Sequence, residues 1–323
     1  MQNWQPCCNE IHRRRVNVYR SPRLPCHLVT HQSISWPVTQ QYFFSPVRLS
    51  REFTQYSNSM KQLLILSLFL SVAFSFSGCK SADGGGLNLF TPQQDIELGK
   101  QVSKEIDGDP KTYPILPESG NEEVYRYVRG ITTKILNTGK VKYRNEFPWE
   151  VKIINDANTL NAFCTPGGYI YVYTGLIKYL DTEDQLAGVM GHEIAHAALR
   201  HSTRQMTKIY GLAALTSIAT GKSDPGMIEQ IALGLISLQF SRTHETEADE
   251  HSVLYLCGTD YHADGAAGFF KKIEGKGNPP AFLSTHPDPG NRVQKIEGKA
   301  KELACAGSKN YKTEYDRIKR LLK

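Results

Sequence analysis

The chain has 323 residues, a formal net charge of +6, 40% hydrophobic and 22% charged residues, and seven cysteines. This composition excludes wholesale disorder, and the lack of a Gly-X-Y period or sustained heptads excludes collagen-like and coiled-coil architectures. The basic balance suggests a polyanionic partner, but the charge is unevenly placed. Residues 1–59 hold seven Arg and two Glu, residues 60–78 add only Lys61, and Cys79 to Lys323 hold 30 basic and 30 acidic side chains. A neutral main body argues against nucleic-acid binding, which rests on neutralising phosphates.

Residues 60–79 read MKQLLILSLFLSVAFSFSGC. The apolar run Leu63–Phe76 is 14 residues long. A spanning helix needs about 20, so a secretory signal is the better reading. Its end, Ser77-Gly78-Cys79, resembles the bacterial lipoprotein signal, in which cleavage precedes a lipid-bearing cysteine. Phe76 stands where that signal usually has Leu. Cys79 is therefore the expected lipidation site and residues 60–78 the signal peptide. A signal works at an N-terminus, so residues 1–59 are read as a mis-assigned or disordered extension. Residues 79–91 form a flexible tether.

Beyond the tether, Thr91-Pro92 opens a helix running to about Ile106. Asp107–Gly120 reads as a Pro/Gly-rich loop. Glu122–Leu136 is amphipathic, with Val124, Tyr127, Val128, Ile131 and Ile135 on one face. Trp149–Ile154 and Tyr169–Tyr173 read as strands, with a turn at Pro166-Gly167-Gly168. Thr182 and Gln185 suggest a capping box that starts a helix through about Met206. Ile209–Ala219 and Met227–Phe240 read as buried helices. Helices are also expected at Thr243–Leu256, Ala266–Ile273, Asn291–Ala300 and Tyr311–Leu322. Helices with one small sheet make the class α+β.

Residues 192–196 read His-Glu-Ile-Ala-His. Positions i and i+4 project from one helix face, so two imidazoles there can share a metal ion with Glu193 beside the open position. Small neighbours (Gly188, Gly191, Ala195, Ala197, Ala198) let other backbones approach. A catalytic zinc needs a third protein ligand. A metzincin would place Gly at 199 and His at 202; Leu199 and Ser202 exclude that class. Downstream, Glu245 and Asp249 share a helix face, whereas His244, Glu247 and Glu250 point elsewhere. Cys164, Cys257 and Cys305 have no CxxC spacing and form no zinc-thiolate site. Export permits a disulfide, Cys257 with Cys305 being favoured; buried apolar thiols are the other reading.

The segments NAFCTPGGYIYVYTGL (161–176), GHEIAHAALRH (191–201), SRTHETEAD (241–249) and STHPDPGNR (284–292) together resemble the M48 family of zinc metallopeptidases, in its periplasmic lipoprotein branch. The resemblance spans about residues 92–300 and implies a mostly helical zincin-like domain, with the sheet beside the HExxH helix; residues 301–323 are read separately as a C-terminal helix. It implies one zinc ion per subunit on His192, His196 and Glu245, with Asp249 bonding a ligand histidine. Glu193 would take the proton of the attacking water. His286 and Arg292 are candidates to meet the oxyanion, and His286 could instead fill the open zinc position. Tyr169, Ile170 and Tyr171 would be the edge strand that pairs with an extended peptide. Cys164 stands where the family usually has an apolar residue.

The expected function is a lipid-anchored endopeptidase at the periplasmic face of a bacterial envelope, in the outer membrane, acting on envelope proteins in quality control. The alternative is a zinc-stabilised chaperone or scaffold with a peptide groove and little proteolysis. His201, His244, His251 and His262 are read as structural or surface residues.

Overall fold

The computed structural model describes residues 87–209, 230, 234, 235, 237–274, 280–288 and 290–322. These all fall within the compact unit Phe74–Lys323. The expected signal, Cys79, all but residue 209 of the segment 209–219 and half of the segment 227–240 lie outside the described residues. Among the described residues, no helix is long and apolar enough to cross a membrane.

Helix α1, Pro92–Gly108, begins where Thr91 and Gln94 form a reciprocal capping box and Pro92 presets the first turn. Helix α2 is Glu122–Leu136 and buries Val124, Val128, Ile131 and Ile135. Tyr127 is only partly buried; Tyr125 faces the core instead, its hydroxyl donating to the Leu116 carbonyl at 2.7 Å. Three strands follow: β1 Val151–Ile154, β2 Ala162–Thr165 and β3 Tyr169–Tyr173. Gly167 and Gly168, at φ 77° and 86°, make the β2–β3 turn in the left-handed region that glycine tolerates.

The sheet order is β1-β3-β2, with β1 parallel and β2 antiparallel to β3. This corrects the placing of Tyr169, Ile170 and Tyr171 on an edge strand. Both backbone edges of β3 are used, by Val151↔Ile170 on one side and Phe163↔Tyr171 on the other. The antiparallel edge belongs to β2, a strand missed in the sequence because all four of its residues are buried and no alternation shows.

Helices α3 (Thr174–Tyr179) and α4 (Glu183–Ala198) come next. Thr182 is the N-cap of α4 but gives no side-chain cap, and Gln185 accepts from the Asp181 N–H at 2.9 Å. The expected capping box is therefore not made. Nor does the helix continue to Met206. Arg200 sits at φ 58°, and the chain turns there before a second helical run at 201–209. The remaining helices are α5 (Arg242–Leu256), α6 (Gly265–Ile273), α7 (Phe282–Thr285), α8 (Arg292–Glu302) and α9 (Lys312–Leu321).

Helix α4 is buried along its length. At Gly188 an added Cβ would lie 2.1 Å from the Ala266 backbone nitrogen of α6. At Gly191 it would lie 2.9 Å from Ser252 Oγ of α5. The small residues thus let three helices meet at backbone distance. Helix α9 joins the same core through Tyr315 and Ile318, and Tyr315 donates to the Ile177 carbonyl at 2.7 Å. Cys257 and Cys305 form a disulfide between the end of α5 and the chain after α8, and Cys164 is a buried free thiol.

Candidate metal centre

Helix α4 presents His192, Glu193 and His196. Helix α5 crosses it and presents Glu245 and Asp249. Ser241 caps α5, its hydroxyl accepting from the His244 N–H at 3.2 Å, so the Glu245 carboxylate sits in the first turn, where the helix dipole favours an anion. His286 follows α7 and Arg292 opens α8. All seven side chains are buried, with Glu245 at 0% exposure.

His192, His196, Glu245 and His286 each bring one donor atom to a common point, and these atoms lie within 4.8 Å of one another. The two Nε2 atoms of His192 and His196 are 2.9 Å apart. Glu245 is 3.4 Å from each of them. His286 Nδ1 is 3.3 Å from His192 Nε2 and 3.2 Å from Glu245 Oε1, and its Nε2 is 3.5 Å from Glu193 Oε1.

The tautomers show what this cluster needs. Asp249 Oδ1 is 2.9 Å from His192 Nδ1, and an ionised carboxylate only accepts. His192 therefore carries its proton on Nδ1 and turns a lone pair inward from Nε2. His196 Nδ1 likewise faces outward, 2.9 Å from His201 Nδ1. Two inward lone pairs and a carboxylate repel unless a positive species lies among them. Imidazole and carboxylate donors with outer carboxylate support are a set that suits zinc. The donor chemistry therefore fits a metal ion.

With no cation among them, the buried anions act on the histidines instead. Burial opposes charge on His192, but Asp249 and Glu245 outweigh it and lift its pKa to about 9. His196, with burial dominant, is held well below the usual range. Burial also works against Glu245, yet His286, His192 and His196 hold its carboxyl far below the ordinary value. Glu193 is raised, chiefly by burial, and its Oε1 has no hydrogen-bond partner. Arg292 donates from Nε to Asp249 Oδ2 at 2.7 Å and from Nη2 to Asp249 Oδ1 at 2.8 Å and Glu245 Oε2 at 2.9 Å. Its Nη1 is buried without a hydrogen-bond partner.

Three parts of the surroundings were not assigned from the sequence. Phe240 stacks on His196 at 3.9 Å between centroids, and Phe282 on His286 at 4.2 Å. His201 reaches Glu247 Oε2 from Nε2 at 3.0 Å, and Arg204 Nη1 stands 3.4 Å from the same oxygen. Burial pushes His201 down to about 4, and the His201 bond holds Glu247 at about 2. His201 and Glu247 lay inside the quoted motifs, but a helical wheel turns both away from the centre. Tyr169 and Tyr171 point to the opposite face of the sheet, packed in a separate aromatic cluster with α1.

The family model described as Peptidase family M48 matches residues 123–300. Over 177 residues, 53% of this chain, it is 32% identical to the mitochondrial metalloendopeptidase OMA1 of Schizosaccharomyces pombe and covers 51% of that protein. The beta-barrel assembly-enhancing protease of Escherichia coli (strain K12) is 29% identical over 229 residues, 65% of this chain and 44% of that protein. The putative beta-barrel assembly-enhancing protease of Vibrio cholerae is 31% identical over 171 residues, 48% of this chain and 35% of its own. The chain spans about half or less of the length of these relatives.

Proposed function

Because the chain belongs to peptidase family M48, we propose that it is a zinc-dependent endopeptidase. The observation that carries this reading is the convergence of His192, His196 and Glu245 around inward lone pairs, with the unbonded Glu193 Oε1 beside them. These three side chains hold one zinc ion per subunit. When bound, zinc lowers the pKa of a water molecule to about 7 and polarises the scissile carbonyl.

The chain's own residues do the rest. Glu193 accepts a proton from the attacking water and returns it to the leaving amine. Asp249 fixes the tautomer of His192. Arg292 balances the charge of Glu245 and Asp249, and only its Nη1 is left to face the developing oxyanion. His286 Nε2, close to Glu193, is the second donor for that oxyanion. The extended peptide pairs along β2, the antiparallel edge of the sheet, whose Ala162 and Cys164 share a core with α4.

The enzyme works in a bacterial envelope, held by a lipid on Cys79 at the periplasmic face of the outer membrane, on misassembled envelope proteins. Three observations support this: the signal-like segment 60–79, the Cys257–Cys305 disulfide, which fits an oxidising compartment, and relatives named for β-barrel assembly. Glu193→Gln is expected to retain zinc while casein hydrolysis falls by more than about 100-fold. Wild-type rates in that variant would refute the assignment.

A second reading has one observation in its favour. His286 already stands among the donors, so it can fill the position a water would need. The protein would then be a zinc-stabilised scaffold that holds peptides. His286→Ala separates the two: a fall in hydrolysis marks His286 as an oxyanion donor of a working peptidase, a rise marks it as a block on one, and zinc binding with no cleavage by either protein favours the scaffold.

A further inference from the structure

His201 lies five residues beyond His196. On a continuous helix the two would be about 140° apart and could not touch. They touch because the chain leaves the helix at Arg200, in the left-handed region at φ 58°. Such a conformation is costly for a residue with a Cβ and persists only where its surroundings hold it. Here they do. Arg200 donates from Nε to Asp95 Oδ2 at 2.5 Å, from Nη2 to Asp95 Oδ1 at 3.2 Å, and from Nη2 to the Phe90 carbonyl at 2.5 Å. Helix α1 and the residues before it thus pin the bend, and the bend swings His201 back against His196.

The contacts then fix every proton in a row. Glu247 is an acceptor, so His201 carries an N–H on Nε2, 3.0 Å from the carboxylate. His196 Nδ1 and His201 Nδ1 are 2.9 Å apart and share one proton. A His196 that turns a lone pair to the metal position from Nε2 carries that proton on its own Nδ1, and His201 Nδ1 accepts it. Arg204 closes the row, with Nη1 3.2 Å from the Leu199 carbonyl and 3.4 Å from Glu247 Oε2. His201 is fully buried and stacks at 4.4 Å on His244, so its ring has no freedom to turn.

We propose that His201 and Glu247 are positioning residues for the metal, a histidine–carboxylate relay that locks His196 in its ligating tautomer as Asp249 does directly for His192. The proposal rests on the reading of His192, His196 and Glu245 as zinc ligands. It gives His201 and Glu247, which look away from the centre on a helical wheel, a role in metal affinity. An outer hydrogen-bond partner fixes the tautomer of a ligand histidine and raises its basicity, and removing such a partner costs about 10–100-fold in metal affinity.

The test is zinc affinity of the full chain by chelator competition, with the melting temperature of the metal-free protein measured alongside. His201→Leu keeps volume but offers no acceptor, and Glu247→Gln keeps an acceptor but loses the charge. Both are expected to weaken zinc binding, His201→Leu by about 10–100-fold and Glu247→Gln by less. His201→Asn, whose amide oxygen can stand near the Nδ1 position, should recover part of the loss. Glu247→Gln also loses its ion pair with Arg204, so its metal-free melting temperature falls as well; the readout that a purely structural role would not move is the recovery of zinc affinity in His201→Asn. Wild-type zinc affinity in His201→Leu overturns the proposal. Should that variant not fold, the proposal stands or falls on ¹⁵N-histidine NMR of the wild type. Protons on His196 Nδ1 and His201 Nε2 support it, and a proton on His201 Nδ1 overturns it. A wild-type chain that binds no zinc would defeat the metal reading and this inference with it, whereas equal binding by wild type and variants defeats this inference alone.

Discussion

The two faces of the small sheet are built from the same three strands but different chemistry. Val151, Ile153, Ala162, Cys164, Ile170 and Val172 face the core that holds α2 and α4. Ile154, Phe163, Tyr169, Tyr171 and Tyr173 face a second cluster with Leu98, Val102 and Ile106 of α1. The first face is aliphatic apart from the Cys164 thiol. The second is aromatic and carries hydroxyls, with Tyr171 hydrogen-bonded to Ser103 at 2.9 Å and Phe163 stacked on Tyr171 at 4.8 Å. The difference follows from what each face carries. The face under α4 supports the helix that carries the proposed metal ligands, and close-packed aliphatic side chains transmit position with little play. The face under α1 docks a helix that reaches the site only indirectly, through Asp95 and the bend at Arg200, so amphipathic rings with polar tips suffice.

The sharpest way to break the first face is from above it. Gly188→Ala would drive a Cβ to 2.1 Å from Ala266 N and 2.7 Å from Ala266 Cα, both backbone atoms with no rotamer to yield. We expect a loss above about 3 kcal/mol, because α4 or α6 must move, and a matching fall in zinc content. Thermal melting with metal analysis checks it; a stable, fully loaded variant would show that α4 tolerates displacement. Ile170→Ala comes next. It opens a cavity in the fully buried centre of β3, at a cost of about 2–5 kcal/mol, with activity falling along with stability.

The aromatic face should respond more gently. Tyr171→Phe removes one buried hydroxyl bond, and about 1 kcal/mol is expected with peptidase activity kept. A larger loss of activity than of stability would mean that the α1 face also positions the site. A pH dependence is expected only in the alkaline range. Burial raises the phenols of Tyr169, Tyr171 and Tyr173 above their ordinary value near 10. Above pH 10 the unfolded chain sheds these protons while the folded chain keeps them. Stability is therefore intact below about pH 10 and falls as pH rises further, by at most about 1.4 kcal/mol per pH unit for each phenol. The aliphatic face offers one titrating thiol, Cys164, also raised by burial. Tyr171→Phe should flatten the alkaline slope measured by melting between pH 9 and 11.5, and an unchanged slope would assign it elsewhere.

Much of this arrangement was legible in the chain. The bounds Glu122–Leu136 and Tyr169–Tyr173 follow from local pattern, because an amphipathic stripe and a run of β-branched and aromatic residues are local signals. The turn at Gly167-Gly168 was legible for a similar reason: only glycine holds two successive positive φ angles without penalty. What failed was non-local. Leu199-Arg200-His201 are ordinary helix residues, so nothing local predicts the break that Asp95 imposes from 105 positions away. Strand order is equally invisible, since each strand of β1-β3-β2 looks the same before it is paired.

Sequence alone determined the chemistry: two histidines one helical turn apart with a glutamate between them, and a later Glu and Asp spaced for one helix face. That spacing is a property of the α-helix and needs no partner. Tertiary structure decided which other groups join them. It placed β3 in the middle of the sheet, brought His286 and Arg292 into the centre, and turned His201 back onto His196 through a bend held by Asp95. The physical reason is that hydrogen bonds and strain between distant segments are set by packing, and packing is decided by the whole chain at once.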